Sequence, residues 1–311
     1  MGSMGIVAHG VRRSFGDVHA VRDVTLEAAP GRVTGLVGPN GAGKTTLLLM
    51  LASLLAPDAG ELSIGGVDPI AQPQAARALL GWMPDALGAW GALSARETIV
   101  VTARLHGMPR TVAAARADVL LHQVGLVELA DSPARVLSRG QKQRLGLARA
   151  LVHDPRVLLL DEPASGLDPQ ARIDLRVLLR RLAGEGRTVL VSSHILSELE
   201  EMVDDAVFLV AGETVSSDRV AAAAQRSRTW RLRLVETAAS AAAPRVAAAL
   251  DLPLSSVRVD RRDVMLVFDS DAAAAAALRA LVAADLPVAE FAAATGTLEH
   301  TFLDLENGGA A

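Results

Sequence analysis

The apolar positions of this chain follow three rhythms. Val7 to Phe15 and Val18 to Ala29 alternate apolar with polar residues around Phe15-Gly16-Asp17, which predicts two half-buried strands joined by a tight turn. Val33 to Val37, Leu79 to Pro84, Val157 to Leu160, Thr188 to Ser192 and Ala206 to Val210 are short apolar runs. Such runs suit parallel strands buried on both faces. Between them lie helical patterns over Leu47 to Leu55, Ser94 to His106, Thr111 to Val124, Ser138 to Leu151, Gln170 to Leu182 and Ile195 to Met202. Ser94 followed by Glu97 reads as a capping box, and Gly107 as the C-terminal cap of the same helix. In Thr111 to Val124 the apolar stripe is read as Val112, Ala115, Val119 and Leu120. The strand–helix alternation predicts an α/β fold, interrupted at about 86–136 by an all-helical insertion.

After Gly212-Glu213 the pattern changes. Trp230, Leu232 and Leu234 alternate with Arg231 and Arg233 as a half-buried strand. Pro244 to Leu250 is an Ala-rich helix, Ser256 to Val259 and Val264 to Phe268 form a hairpin, and Ala272 to Ala284 is a second helix. Val288 to Ala292 and Leu298 to Leu305 close the chain as a strand and a helix. Strand–helix–strand–strand–helix–strand is a ferredoxin-like order. The arginines raise RNA as a partner, but Trp230 is the one aromatic beside them on that strand, and the alternation puts it on the opposite face. Nucleic acid is not expected.

Composition narrows the class. Half of the 311 residues are apolar, yet only 3% are aromatic, and much of the apolar content is alanine in the last third. A formal net charge of −4 gives no global attraction to nucleic acid or to an anionic membrane. Zero cysteines exclude a disulfide scaffold and a thiolate metal site. No signal-peptide pattern stands at the start. The longest apolar run, Leu47 to Ala56 broken by Ser53, is too short for a bilayer core of about 30 Å. The expectation is a soluble chain.

Chemistry concentrates at Gly38-Pro39-Asn40-Gly41-Ala42-Gly43-Lys44-Thr45-Thr46, between the strand at Val33 and the helix at Leu47. Strand, glycine loop and helix is the context of a phosphate-binding P-loop. Glycines let successive N–H groups converge on an anion, and the helix start adds its own unpaired N–H groups. Lys44 is placed to reach the β- and γ-phosphates and Thr45 to hold Mg²⁺. A second helix start, at Ser138, is a further anion-compatible terminus. Asp161 and Glu162 end the buried run at Val157, where α/β sheets bind ligands, and His194 follows the run at Thr188.

Together these pieces resemble the ATP-binding subunit of ABC transporters. Gly38 to Thr45 matches the Walker A loop, and Leu137-Ser138-Arg139-Gly140-Gln141 the family signature. Val157 to Glu162 matches Walker B with its following glutamate, Ser165 to Asp168 the D-loop, and His194 the switch histidine. The resemblance implies a P-loop ATPase domain with a RecA-like core, a β-subdomain and a helical subdomain over residues 5–217, the helical part at about 86–150. A small α+β domain, ferredoxin-like, is expected at 225–306. It implies that Asp161 orients Mg²⁺, that Glu162 acts on the attacking water, that His194 contacts the γ-phosphate, and that Phe15 stacks on adenine. It implies too that Ser138, Gly140 and Gln141, with Asp168, close over ATP held by a second copy, giving an ATP-sandwich homodimer. One departure stands out: the family usually carries glutamine where this chain has Asp85, and such acidic variants resemble export-type members with a Ser-Arg-Gly signature. Asp85 is therefore expected to approach Mg²⁺.

The resulting expectation is the ATPase of an export-type transporter. It would sit on the inner face of the cell membrane through a separate integral membrane permease, touched by Ala86 to Ala92 and Glu97. A soluble ABC-type ATPase not coupled to transport is the alternative. A GTPase is disfavoured because no Asn-Lys-x-Asp motif occurs, and a non-catalytic binding module because Lys44, Asp161, Glu162 and His194 are all present.

Overall fold

The computed structural model describes residues 5–85, 88, 91–224, 227–235 and 238–307. The chain divides into two compact units, Met1–Val215 and Ser216–Ala311.

In the first unit β1 (Ile6–Phe15) and β2 (Val18–Ala28) form the expected antiparallel pair, running from Ile6↔Ala28 to Phe15↔Val18 with register shifts between Ala8 and Ser14. β3 (Val33–Val37) is buried along its whole length and feeds the P-loop, after which α1 (Lys44–Leu51) begins. β4 (Ala59–Ile64) pairs with the other side of β1. A helix not foreseen from the sequence, α2 (Pro73–Leu79), starts with proline at its first position and leads straight into β5 (Leu80–Met83). Its alanines and arginine carry too little apolar contrast to announce a face.

Among the described residues the insertion and the segment after it carry the α-helices α3 (Ala95–Leu105), α4 (Arg110–Gln123) and α5 (Arg139–Ala150). Ser94 and Glu97 close the capping box of α3 as expected. The stripe anticipated for α4 is displaced. Its buried positions are Ala113, Ala117, Leu120 and Leu121, whereas Val112 and Val119 are 51% and 54% exposed. The reason is close packing of α3 and α4, which selects small alanines for the facing side over bulkier valines.

β6 (Val157–Asp161), α6 (Pro169–Gly184), β7 (Thr188–Ser193), α7 (Leu196–Glu200), β8 (Asp205–Val210) and β9 (Glu213–Thr214) complete the unit. The sheet order is β4-β1-β2-β9-β8-β3-β7-β6-β5. β8, β3, β7, β6 and β5 run parallel. Their carboxyl ends therefore share one edge, and Gly38, Asp161, Ser193 and Pro84 all emerge there. This is what brings distant motifs together. Beneath them Leu36, Leu47, Leu48, Leu51, Leu159 and Leu190 form the core. Each such fully buried leucine contributes about 1.5–3 kcal/mol.

The second unit opens with α8 (Ser217–Ala224), also unforeseen, which packs on the last helix, α11 (Thr297–Asn307). Between them run β10 (Arg228–Leu234), α9 (Ala239–Ala249), β11 (Arg258–Asp260), β12 (Asp263–Phe268), α10 (Asp271–Ala283) and β13 (Val288–Ala293). The sheet order is β11-β12-β10-β13, with every pair antiparallel. The helix expected from Pro244 starts at Ala239 and holds Pro244 inside it. The residues before Pro244 are nearly all alanine, which marks no boundary, so the helix begins earlier than the sequence suggests. Leu232, Leu234, Val264 and Leu266 pack beneath α9 on one face, where Trp230 also stacks on Phe291 with ring centroids 5.0 Å apart. Arg231 and Arg233 take the other face, paired with Glu290 and Asp263.

Candidate active site

At the shared carboxyl edge lies a cleft of about 580 Å³. The P-loop forms one wall. Gly41 and Gly43 adopt φ of +84° and +96°, and a Cβ on Gly43 would stand 2.4 Å from the Ala20 carbonyl oxygen. The loop thus rests directly on β2. Lys44 is only 7% exposed, and its Nζ donates to the carbonyls of Gly38 at 2.7 Å and Pro39 at 3.0 Å. Burial pushes its pKa down, while the carboxylates of Glu162 and Asp161 push back. A cation held here by backbone oxygens and by two nearby anions is suited to phosphate.

Across the cleft, Asp161 is 2% exposed and accepts from the Thr45 hydroxyl at 3.1 Å and from the Ser192 hydroxyl. Among the described residues no group of three His, Asp or Glu side chains could hold a metal unaided. One hydroxyl and one buried carboxylate, with room for phosphate oxygens and water, is the donor set that fits Mg²⁺.

Glu162 sits just beyond β6 with φ +52°, a left-handed conformation that is strained in a non-glycine residue by about 1–3 kcal/mol. Its N–H is shared by the Ser192 carbonyl at 3.2 Å and hydroxyl at 3.1 Å, and its carbonyl accepts from Gln143 Nε2 at 3.3 Å. Anchored on both sides, the residue directs its carboxylate to His194, with Nδ1 to Oε2 at 2.9 Å. The carboxylate, the imidazole, Lys44 and Thr45 all line the same cleft. That is a constellation for directing water at a phosphoryl group.

Residues 21–165 match the ABC transporter family. Over 98% of its length the chain is 34% identical to the daunorubicin resistance ATP-binding protein DrrA3 of Streptomyces coeruleorubidus, covering 96% of that protein. This chain belongs to the ATP-binding subunits of ABC transporters. It is 38% identical over 212 residues to the Nod factor export ATP-binding protein I of Bradyrhizobium diazoefficiens, covering 68% of this chain and 69% of that one. With the ABC transporter ATP-binding protein NatA of Bacillus subtilis it shares 36% over 199 residues, 64% of this chain and 81% of the relative. Among solved structures, an ATP-binding cassette in a dimeric post-hydrolysis state with ADP and Pi superimposes with a TM-score of 0.63 at 25% identity, over 68% of this chain and 97% of the other. An ATP-binding subunit of an ABC transporter gives a TM-score of 0.63 at 26% identity, over 69% and 91%. As an ABC ATPase the chain binds and hydrolyses ATP.

The remaining anticipated residues of this ABC ATPase are placed as follows. Ser138 and Gln141 cap their own helix reciprocally: the Ser138 hydroxyl accepts from the Gln141 N–H at 3.2 Å, and Gln141 Oε1 accepts from the Ser138 N–H at 2.8 Å. With Gly140 they stand outside the lining of the Lys44 cleft. Asp168 caps α6 through the Ala171 N–H at 2.9 Å and pairs with Arg144 at 3.7 Å. Phe15 is 48% exposed and does not line the cleft; the Arg13 guanidinium lies 4.8 Å from its ring centroid. Val18 and His19, at the start of β2, line the wall in its stead and gave no sequence signal. Pro39 and Ala42 shape the loop itself, through the Ala42 N–H to the Pro39 carbonyl at 3.2 Å. Asp85 lines the cleft, its carboxylate 3.9 Å from the Arg139 guanidinium. Of the expected contact segment after it, Ala86, Leu87, Ala89 and Trp90 lie outside the described residues, and Glu97 is engaged in its capping box.

Proposed function

We propose that this ATPase powers export through a separate membrane subunit, and that it works as a pair of identical copies. The observation that carries the hydrolytic half is the Glu162–His194 pair, held at 2.9 Å beside Lys44, Thr45 and Asp161 in one cleft. In this reading Lys44 holds the terminal phosphates of ATP and withdraws negative charge as it develops. Glu162 orients the attacking water and takes up its proton, and His194 fixes the carboxylate's direction. Thr45 and Asp161 would hold Mg²⁺, which when bound would offset negative charge on the phosphates. Gly38, Pro39, Asn40, Gly41, Ala42, Gly43 and Thr46 shape the phosphate cradle.

Support for the paired arrangement is the exposed Ser138, which with Gly140 and Gln141 stands outside the lining of its own chain's phosphate cleft. A second copy's nucleotide is the partner it suits, with Gly140, Gln141 and Asp168 alongside. Among the described residues no helix is long and apolar enough to cross a membrane. The relatives named for drug resistance and Nod factor export favour outward transport, and with it a place on the inner face of the cell membrane.

The test is Glu162→Gln. Turnover should fall about 10²–10⁴-fold with ATP binding retained, the range for losing a general base. The variant should elute as a dimer with Mg²⁺-ATP on a sizing column. A monomer under those conditions contradicts the paired site, and retained turnover contradicts the role of Glu162. Co-purification with a separately encoded membrane protein distinguishes the transport reading from an uncoupled ATPase.

A further inference from the structure

Arg139 stands second in the helix-opening run Ser138-Arg139-Gly140-Gln141, yet its side chain turns into the phosphate cleft of its own chain. Its stem crosses Gly166 so closely that a Cβ there would lie 2.7 Å from Arg139 Cδ and 2.9 Å from Cγ. At the tip, Nη2 donates to the Ser165 hydroxyl at 2.6 Å and faces the Asp85 carboxylate at 3.9 Å. Ser165 in turn closes a turn on Glu162, its N–H donating to the Glu162 carbonyl at 3.0 Å. That same carbonyl receives Gln143 Nε2 from the next turn of α5. Two side chains of α5, one directly and one through Ser165, therefore hold the segment that carries the catalytic carboxylate.

We infer that Arg139 is a positioning residue for hydrolysis and that Asp85 serves as its charge partner, not as a metal ligand. Three observations separate these roles for Asp85. It belongs to no cluster of three acidic or histidine groups with Asp161 and Glu162. Thr45 turns its hydroxyl to Asp161. The cation facing Asp85 is a guanidinium. Electrostatics explain why an acid is tolerated so near a phosphate site. Asp85, Asp161 and Glu162 put three carboxylates in the cleft that Lys44 lines, and a bound anion would add to the repulsion; Arg139 offsets it. The pair is half exposed or more on both sides, so it contributes little to folding stability. Its strength grows when the cleft closes and loses water, which is when the direction of Glu162 matters. Asp85, Arg139, Ser165 and Glu162 thus form one chain of contacts from the end of β5 to the water-directing group.

This inference rests on the cleft's assignment to ATP hydrolysis, and its test separates the two. Asp85→Ala, Arg139→Ala, the double variant and Arg139→Lys are made in the full chain. Amide exchange without nucleotide is expected to rise at residues 163–167 in both alanine variants. kcat should fall about three- to tenfold in each, with KM for ATP and the half-saturating Mg²⁺ concentration unchanged, and the double variant should match the worse single one. Arg139→Lys should recover part of the loss, since it keeps the charge but not the fork. Additive losses, a raised Mg²⁺ requirement in Asp85→Ala, or unaltered amide exchange in Arg139→Ala would each overturn it. The exchange measurement needs no turnover, so it stands even if Glu162→Gln shows the hydrolytic assignment to be wrong.

Discussion

The contact between the P-loop and β2 yields a prediction whose size follows from two neighbouring glycines. Gly41 and Gly43 both have φ well into the positive region, but only Gly43 is crowded: nothing lies within 4 Å of a Cβ on Gly41. An alanine at either site bears the left-handed penalty of about 1–2 kcal/mol. At Gly43 the added carbon also meets the Ala20 carbonyl oxygen at 2.4 Å and Val21 Cγ2 at 3.3 Å. The first of these is a backbone atom in a paired strand and cannot swing aside, so an overpacking cost of about 1–3 kcal/mol is added. Gly43→Ala should therefore cost roughly 2–5 kcal/mol and Gly41→Ala roughly 1–2. For a unit of this size each kcal/mol moves the melting temperature by about 2–4 °C. Calorimetry without nucleotide should show a fall of the order of 10 °C for Gly43→Ala against a few degrees for Gly41→Ala. Equal shifts would refute the steric contribution, and no shift at Gly43 would refute the close seating of the loop on β2.

Other outcomes follow from single contacts. Ser192→Ala removes one of two hydroxyls from the buried Asp161 carboxylate and should cost about 1.5–3 kcal/mol in urea unfolding; a neutral result would mean that the carboxylate is satisfied otherwise. His153 is stacked on His106 with centroids 3.9 Å apart, and burial, then the His106 charge, bring its pKa down to about 4. The unfolded imidazole gains a proton below about pH 6.5 that the folded one refuses, so stability is full above that value and declines as pH falls toward 4. With allowance for solvent at this partly buried ring the loss should be about 2 kcal/mol, and His153→Gln should flatten the curve in that window. Leu232 is fully buried in the centre of β10, and Leu232→Ala should cost about 2–5 kcal/mol, seen as faster amide exchange across residues 228–293. Unchanged exchange there would argue against a packed core in that unit.

Sequence reading succeeded where the physics is local. A P-loop, a buried run ending in two acids and a capping box are each written within a dozen or so residues, and the structure places these elements where periodicity put them. It failed where alanine dominates. Alanine fits either face of a helix, so periodicity assigns the inner side of α4 to Val112 and Val119, and the short α2 presents no stripe to detect. It also failed where contact depends on topology. Asp85 ends one strand and Arg139 opens a helix far along the chain. Only the parallel order β7-β6-β5 shows that they share a cleft. Phe15 illustrates a third limit. An aromatic upstream of the loop is visible in sequence, but its orientation is decided by a β-hairpin in which its ring meets Arg13.

The left-handed backbone at Glu162 constrains what evolution can write at this position. A φ of +52° admits Gly, Asn or Asp readily and unbranched side chains at a cost, but excludes Val, Ile and Thr. Any lineage that abandoned hydrolysis while keeping the fold would thus drift toward a narrow set of replacements, with glycine relieving the strain altogether. Branched aliphatics should be missing from that set even though the preceding strand is built from them. A survey of natural variation at this one site therefore reads out backbone geometry as well as catalytic descent.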